Sequence, residues 1–125
     1  VVVTDTDLAA KNLVLWGDPT SNRVLARLLA TGKLPLTWDA KTLTFRGQTY
    51  ASAHHAPILI FPNPLNPSRY VVLNSGIDFR TEGYGNNAHQ TPKLPDWAVV
   101  DLRTPPGPRW PGKIVDAGFF DESWK

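Results

Sequence analysis

Twelve prolines divide this chain into short apolar segments, and they limit it to short helices and strands. A proline inside a helix or a central strand removes a backbone donor, so regular elements tend to end near it. The apolar runs, such as Pro57–Phe61, fall far short of the roughly 20 residues that span a bilayer. A length of 125 residues gives room for one domain. We therefore predict a single domain over residues 1–125 without a membrane partner. Because the chain starts without Met, we expect it to be the C-terminal part of a larger protein.

The order of the first segments favours an α/β fold. Leu13–Trp16 is a continuous apolar run bounded by glycine, which is typical of a strand buried on both faces. Over residues 21–31 the aliphatic residues recur at helical spacing, and Gly32 is placed to end that helix. Residues 36–46 alternate between apolar and polar around a turn, as in a β-hairpin. The prediction is an α/β domain with a mixed, mainly parallel central sheet, a strand–loop–helix (βα) unit and a β-hairpin.

The composition argues against several classes of function. The net charge is +2, and the basic residues are scattered rather than gathered in a stripe, so we expect no nucleic-acid partner. The chain has no cysteine, which excludes disulfides, thiolate metal sites and a cysteine nucleophile. His54 and His55 are neighbours that point to opposite faces of an extended segment, so we predict no metal site and no cofactor.

A complete catalytic site is not visible in the sequence. The G-x-S-x-G motif of α/β-hydrolases does not occur. Ser75 follows an apolar run, and His89 with Asp78 or Asp96 could be its partners, but the sequence does not fix that geometry. We therefore predict no catalytic residue.

Polar residues cluster after three predicted strands, and they form the predicted ligand site. These residues are Gly17, Asp18, Thr20, Ser21, Asn22, Asn63, Asn66, Asn74 and Ser75. If the strands are parallel, loops 17–22, 62–67 and 74–76 meet at one edge of the sheet and could bind a small molecule or a glycan. If strand 70–73 is antiparallel to strand 58–61, loops 62–67 and 74–76 lie at opposite edges. The eight-residue connection 62–69 favours this second arrangement, because a parallel crossover usually needs a dozen residues or more.

Two interpretations of the loop 17–22 remain open. The helix that follows presents unpaired N–H groups and a partial positive charge, which together favour an anion. Alternatively, Thr20 or Ser21 is simply the N-cap of that helix and satisfies local backbone groups. The segment 62–67 is predicted to be irregular because it contains three prolines. Trp110 and Trp124 lie in a predicted loop and tail, so they are candidates for a surface or interdomain contact.

Four segments resemble the C-terminal region of large bacterial serine hydrolases of the prolyl-oligopeptidase or esterase type. They are Asn12–Asn22, Phe61–Gly76, Pro92–Val100 and Gly118–Trp124. In that family the nucleophile, base and acid lie in an upstream hydrolase domain, and no residue of this chain matches the nucleophile motif. The resemblance implies a non-catalytic accessory domain of a secreted or periplasmic parent. Its partner would be the hydrolase domain of the same parent chain, and its role interdomain packing or substrate placement.

Overall fold

The computed structural model describes residues 2–75, 94–105 and 112–125, and it shows a mostly β domain. Strands hold 43% of the described residues and helices hold 14%. The predicted α/β fold class is therefore wrong. The two helices are Asp5–Ala10 (α1) and Arg23–Ala30 (α2). The strands are Leu13–Leu15 (β1), Leu36–Trp38 (β2), Thr42–Phe45 (β3), Gln48–Ala51 (β4), His55–Asn63 (β5), Asn66–Asn74 (β6), Trp97–Asp101 (β7) and Lys113–Gly118 (β8).

The larger sheet has five strands in the order β1-β6-β5-β7-β8. The β1–β6 pair is parallel, whereas β5–β6, β5–β7 and β7–β8 are antiparallel. The sheet is thus mixed, but it is not mainly parallel. After α2 the chain enters a separate sheet instead of returning beside β1, so β1 and α2 are not the start of a βαβ unit. The error has a physical cause, because β1 is an edge strand whose Val14 is 48% exposed. An apolar edge strand and a fully buried parallel strand give the same sequence pattern.

The smaller sheet is antiparallel, with the order β2-β3-β4. Its first two strands form an antiparallel pair over residues 36–45. The main core joins α2, this small sheet and one face of the large sheet. Its buried members are Leu25, Leu28, Leu34, Leu36, Leu43, Phe45, Leu59, Val71, Leu73, Trp97 and Val99.

The proline-rich segment 62–67 belongs to a β-hairpin, so the prediction of irregular structure there is wrong. Pro62 continues β5 opposite Tyr70, and Asn63 pairs with Asn66 across the turn. The backbone N–H of Tyr70 points away from β5 and donates to Asn12 Oδ1 at 2.9 Å. Pro62 therefore sits at a position where antiparallel partners exchange no hydrogen bond. Since the β5–β7 pairing also stops at Leu59, the missing proline N–H leaves no gap in either ladder.

Both helices have side-chain caps. Thr4 and Asp7 form a reciprocal capping box at the start of α1. Asn22 is the N-cap of α2 and accepts from the Leu25 N–H at 3.0 Å. The N-cap is therefore neither Thr20 nor Ser21, whose hydroxyls donate to Asp18 instead. Gly32 follows the C-cap of α2 with a φ of +69°, as predicted. In the described part of the chain, no helix has the length and apolar character needed to cross a membrane.

Candidate functional site

The antiparallel β5–β6 hairpin divides the predicted ligand site between two ends of the large sheet. Asn74 pairs with Ile58, five residues along β5 from Asn63. At the usual rise of a strand, this separates the two asparagines by about 17 Å. The composite site with loops 17–22, 62–67 and 74–76 at one edge is therefore not formed. The alternative arrangement of the sequence analysis is the one observed.

Asn63 and Asn66 serve the C-terminal end of α1. The Asn63 side chain is fully buried, donates to the Leu8 carbonyl at 2.8 Å and accepts from the Leu65 N–H at 3.0 Å. Asn66 donates to the Ala9 carbonyl at 2.7 Å. The last carbonyls of a helix have no partner within the helix, so these two amides satisfy them. The observed contacts give both asparagines a structural role.

Ser75 and the loop Gly17–Asn22 do come together at the other end of the sheet. The Ser75 hydroxyl is buried and donates to the Gly17 carbonyl at 2.7 Å. This contact follows from the parallel β1–β6 pair, which brings the carboxyl ends of both strands to the same edge. Asn74 precedes Ser75 at this edge, while Gly76 lies outside the described residues.

The polar groups of the loop are largely occupied by one another. Asp18 Oδ1 accepts from the Thr20 N–H, the Thr20 hydroxyl and the Ser21 N–H, at 3.0, 2.7 and 2.9 Å. Ser21 Oγ accepts from the Asp18 N–H at 3.1 Å, and Asn22 Nδ2 donates to the Trp16 carbonyl at 2.9 Å. Gly17 has a φ of +88°, and a Cβ there would lie 2.7 Å from Ser21 Oγ, so this tight turn requires glycine. These bonds explain the loop as the start of a helix and leave few groups for a ligand.

A cleft of about 400 Å³ nevertheless lies beside the loop, which is a size typical of small-ligand sites. We call this space the acidic cleft. The loop contributes Asp18, Pro19 and Thr20, and the β2–β3 turn contributes Trp38, Asp39 and Ala40, with Ser52, Ala53 and Leu102 completing the lining. Of the residues predicted from the sequence, only Asp18 and Thr20 take part. A second groove shares Pro19, Thr20 and the turn, and extends along α2.

Hydrogen bonds fix both carboxylates of the acidic cleft. Asp39 Oδ1 accepts from the backbone N–H groups of Lys41 and Thr42, both at 2.8 Å. These bonds hold the pKa of Asp39 below its ordinary value of 3.8. The hydrogen bonds from Thr20, followed by those from Ser21, lower the pKa of Asp18 in the same way. Both groups therefore stay ionised at neutral pH.

Sequence reasoning missed Trp38, Asp39 and Ser52. Trp38 ends β2 and Asp39 begins the turn that follows, and the alternating pattern of residues 36–46 predicted only a β-hairpin there. Ser52 Oγ donates to the Asp39 carbonyl at 2.7 Å, which joins two turns that are 13 residues apart. The one feature of the sequence that could have indicated a site was a large aromatic residue directly before an aspartate in a turn. That feature could not show which loop would form the other side of the cleft.

A second feature is an apolar patch on the face of the large sheet away from the main core. Residues 13 and 15 pack on the core, so Val14 between them faces the other way. Val72 lies directly opposite both Val14 and Ile60 in the strand register. Trp16 and Tyr70 extend the row and are 51% and 42% exposed. We call Val14, Trp16, Ile60, Tyr70 and Val72 the apolar patch.

The C-terminal tail folds back near this patch. Asp121 Oδ1 accepts from the N–H groups of Ser123 and Lys125, at 2.8 and 3.1 Å. The turn places the Trp124 ring 5.7 Å from that of Tyr70 and 5.8 Å from that of Phe61, measured between centroids. Trp124 thus makes contacts within this chain, while Trp110 lies outside the described residues.

The hydrolase partners considered in the sequence are not assembled by the described residues. The Ser75 hydroxyl is buried and donates to a carbonyl, which does not suit a nucleophile. Asp96 Oδ2 accepts from the Phe120 N–H at 3.0 Å, a bond that anchors the C-terminal segment. Asp78 and His89 lie outside the described residues. Within the described ranges, no group of three or more metal-ligating side chains occurs.

The chain matches no protein-family model, no curated protein and no solved structure.

Proposed function

We propose that this chain is a non-catalytic accessory domain of a secreted or periplasmic serine hydrolase of the peptidase or esterase type. It packs against the hydrolase domain of the same parent chain and helps to place the substrate. The hydrolase parent and its location rest on the resemblance of the four segments given in the sequence analysis. The observation that carries the packing role is the apolar patch, in which Val14, Val72 and Ile60 form one row across three strands. Contiguous exposed apolar surface is typical of a contact between domains or proteins.

The location of the patch supports packing between domains. Interfaces between domains of one chain bury about 600–1,500 Å² and contain aromatic residues at their centre. Trp16 and Tyr70 lie beside the aliphatic row and are about half exposed. The opposite face of the sheet already packs on α2 and the small sheet. The apolar patch is thus the part of the large sheet that a neighbouring domain would cover.

A binding experiment with matched variants tests the packing. The chain and the hydrolase domain encoded in the same reading frame are produced as separate proteins. One is then titrated into the other, and the heat of binding is measured by isothermal titration calorimetry. Val14→Asp should weaken binding at least tenfold, because it buries a charge in the interface. Val115→Asp is the matched control, since Val115 is also an exposed strand valine, 37% exposed against 48% for Val14, but it lies on the opposite edge strand. No binding, or equal loss in both variants, would end the proposal.

An activity assay tests the non-catalytic part separately. The chain alone should hydrolyse neither p-nitrophenyl esters nor aminopeptidase substrates above the rate in buffer. Ser75 is the one serine that the sequence offers as a nucleophile, so Ser75→Ala is the informative variant. Turnover that this substitution abolishes would show that the domain is an enzyme.

The acidic cleft favours a second candidate function, a binding module for a small molecule or a glycan. A thermal-shift screen with amines, nucleotides, phosphates and sugars is the test. A ligand present at a hundred times its dissociation constant should stabilise the fold by about 2.7 kcal/mol. If no class of ligand raises the melting temperature, only the packing function remains.

A further inference from the structure

The acidic cleft offers two fixed carboxylate oxygens to solvent. In Asp18 and in Asp39, Oδ1 accepts every hydrogen bond that the described residues donate to the carboxylate. Among the described residues, no donor reaches the Oδ2 atom of either carboxylate. Because the internal bonds already fix both side chains, a ligand would lose little affinity to ordering them.

The charge of the lining is one-sided. Asp18 and Asp39 are ionised, and none of the lining residues in the described part of the chain is basic. Two basic residues are close in sequence but stay outside the described lining: Lys41, whose positive charge acts on Asp39, and Arg103, which is paired with Asp101 at 2.7 Å. The whole chain has a net charge of +2, so this local negative charge does not follow from the composition.

Trp38 adds an aromatic surface to the lining of the cleft, directly before Asp39 in the chain. An indole attracts a cation through its ring face and also provides apolar contact for an aliphatic stem. Each Oδ2 atom can accept a charge-assisted hydrogen bond from a guanidinium or an ammonium group. An anion would be repelled here, although the start of α2 is close by in sequence.

We propose that the acidic cleft binds a basic side chain, an arginine or a lysine of a peptide, with its cationic group between Asp18 and Asp39 and its stem along Trp38. The inference rests on the second candidate function and names its ligand class. It does not depend on interdomain packing. In a peptidase-type parent, such a site would hold a basic substrate segment.

A titration with two nearly isosteric ligands tests this. N-acetyl-arginine amide and N-acetyl-citrulline amide differ in charge but hardly in shape, and binding is followed by ¹H–¹⁵N NMR. The arginine compound should shift the Trp38 indole N–H and the backbone signals of residues 18–20 and 39–42. The citrulline compound should bind at least tenfold more weakly, and added salt should weaken the arginine complex. Equal affinity for both compounds, or no shift with either, would overturn the proposal.

Variants locate the binding and separate the two proposals. The double substitution Asp18→Asn and Asp39→Asn keeps the internal acceptors and should weaken arginine binding at least tenfold. Asp116→Asn, an exposed aspartate outside the cleft, should leave it unchanged, and Lys41→Gln should strengthen it by removing a competing cation. Unchanged affinity in the double variant would refute the site. The arginine compound could fail to bind while another ligand from the thermal-shift screen raises the melting temperature of the parent chain but not of Trp38→Ala. That result would support a binding module at this cleft and would refute only the proposal that its ligand is a cation.

Discussion

At one end of the large sheet Asn63 and Asn66 hold the last turn of α1, and at the other end Asp18 and Asp39 face the acidic cleft. All four residues are small and polar, and they lie in turns or at the strand ends that flank a turn. Asn63 is buried and both ends of its amide are used, whereas each aspartate leaves one oxygen without a partner among the described residues. Residue type therefore does not decide between structure and function here. All of these side chains satisfy backbone groups, and they differ in whether a polar atom is left over after those bonds are made.

The largest loss of stability should come from a substitution at the end of the large sheet that contacts α1. Asn63→Ala leaves the Leu8 carbonyl and the Leu65 N–H unpaired in a buried site. We expect it to lower the free energy of unfolding by about 2–3 kcal/mol, and the melting temperature by roughly 10 °C. Urea denaturation followed by circular dichroism measures this. Asn66→Ala, at a half-buried site, should cost about 1 kcal/mol. If the two variants cost the same, burial is not what distinguishes these asparagines.

Ser75→Ala should have a smaller effect at the other end of the sheet. It removes the hydrogen bond to the Gly17 carbonyl, which links the loop to the end of β6. A loss of about 1 kcal/mol is expected, because a part-buried hydrogen bond is removed. Chemical denaturation of this variant beside Asn63→Ala gives the comparison directly. A loss as large as that of Asn63→Ala would mean that both ends are equally structural.

The smallest expected effect is on the pH dependence of the free energy of unfolding. It should differ in kind between variants at the two ends of the large sheet. Asp18 and Asp39 have a pKa below the ordinary 3.8 in the folded chain. Their contribution to stability is thus present above about pH 4 and is lost as the pH falls through the folded pKa. The double substitution Asp18→Asn and Asp39→Asn should make the loss of stability between about pH 4 and pH 2 shallower. Asn63→Ala, which removes no titrating group, should lower stability by the same amount at every pH. A double variant whose acid profile is as steep as that of the parent chain would contradict this.

The sequence by itself determined most of the local structure. Helical spacing over residues 21–31 indicated α2, Gly32 marked its end, and alternation over 36–46 indicated the β2–β3 pair. Such signals are local, because a helix or a hairpin is specified by residues a few positions apart. The predicted start of α2 was two residues early and its predicted N-cap was wrong, since Asp18 and Asn22 both offer oxygens to backbone N–H groups in the same loop.

Only the tertiary structure decided how these pieces combine. The pairing of β6 with β5 on one side and β1 on the other gave a mostly β fold, and it separated Asn63 from Ser75. An apolar run has the same pattern whether its exposed face meets solvent, a helix or another domain. The acidic cleft joins residues 18–20 to residues 38–40, and Asn63 meets a carbonyl 55 positions earlier in the chain. Contacts over such distances depend on the path of the whole backbone, so no local pattern in the sequence records them.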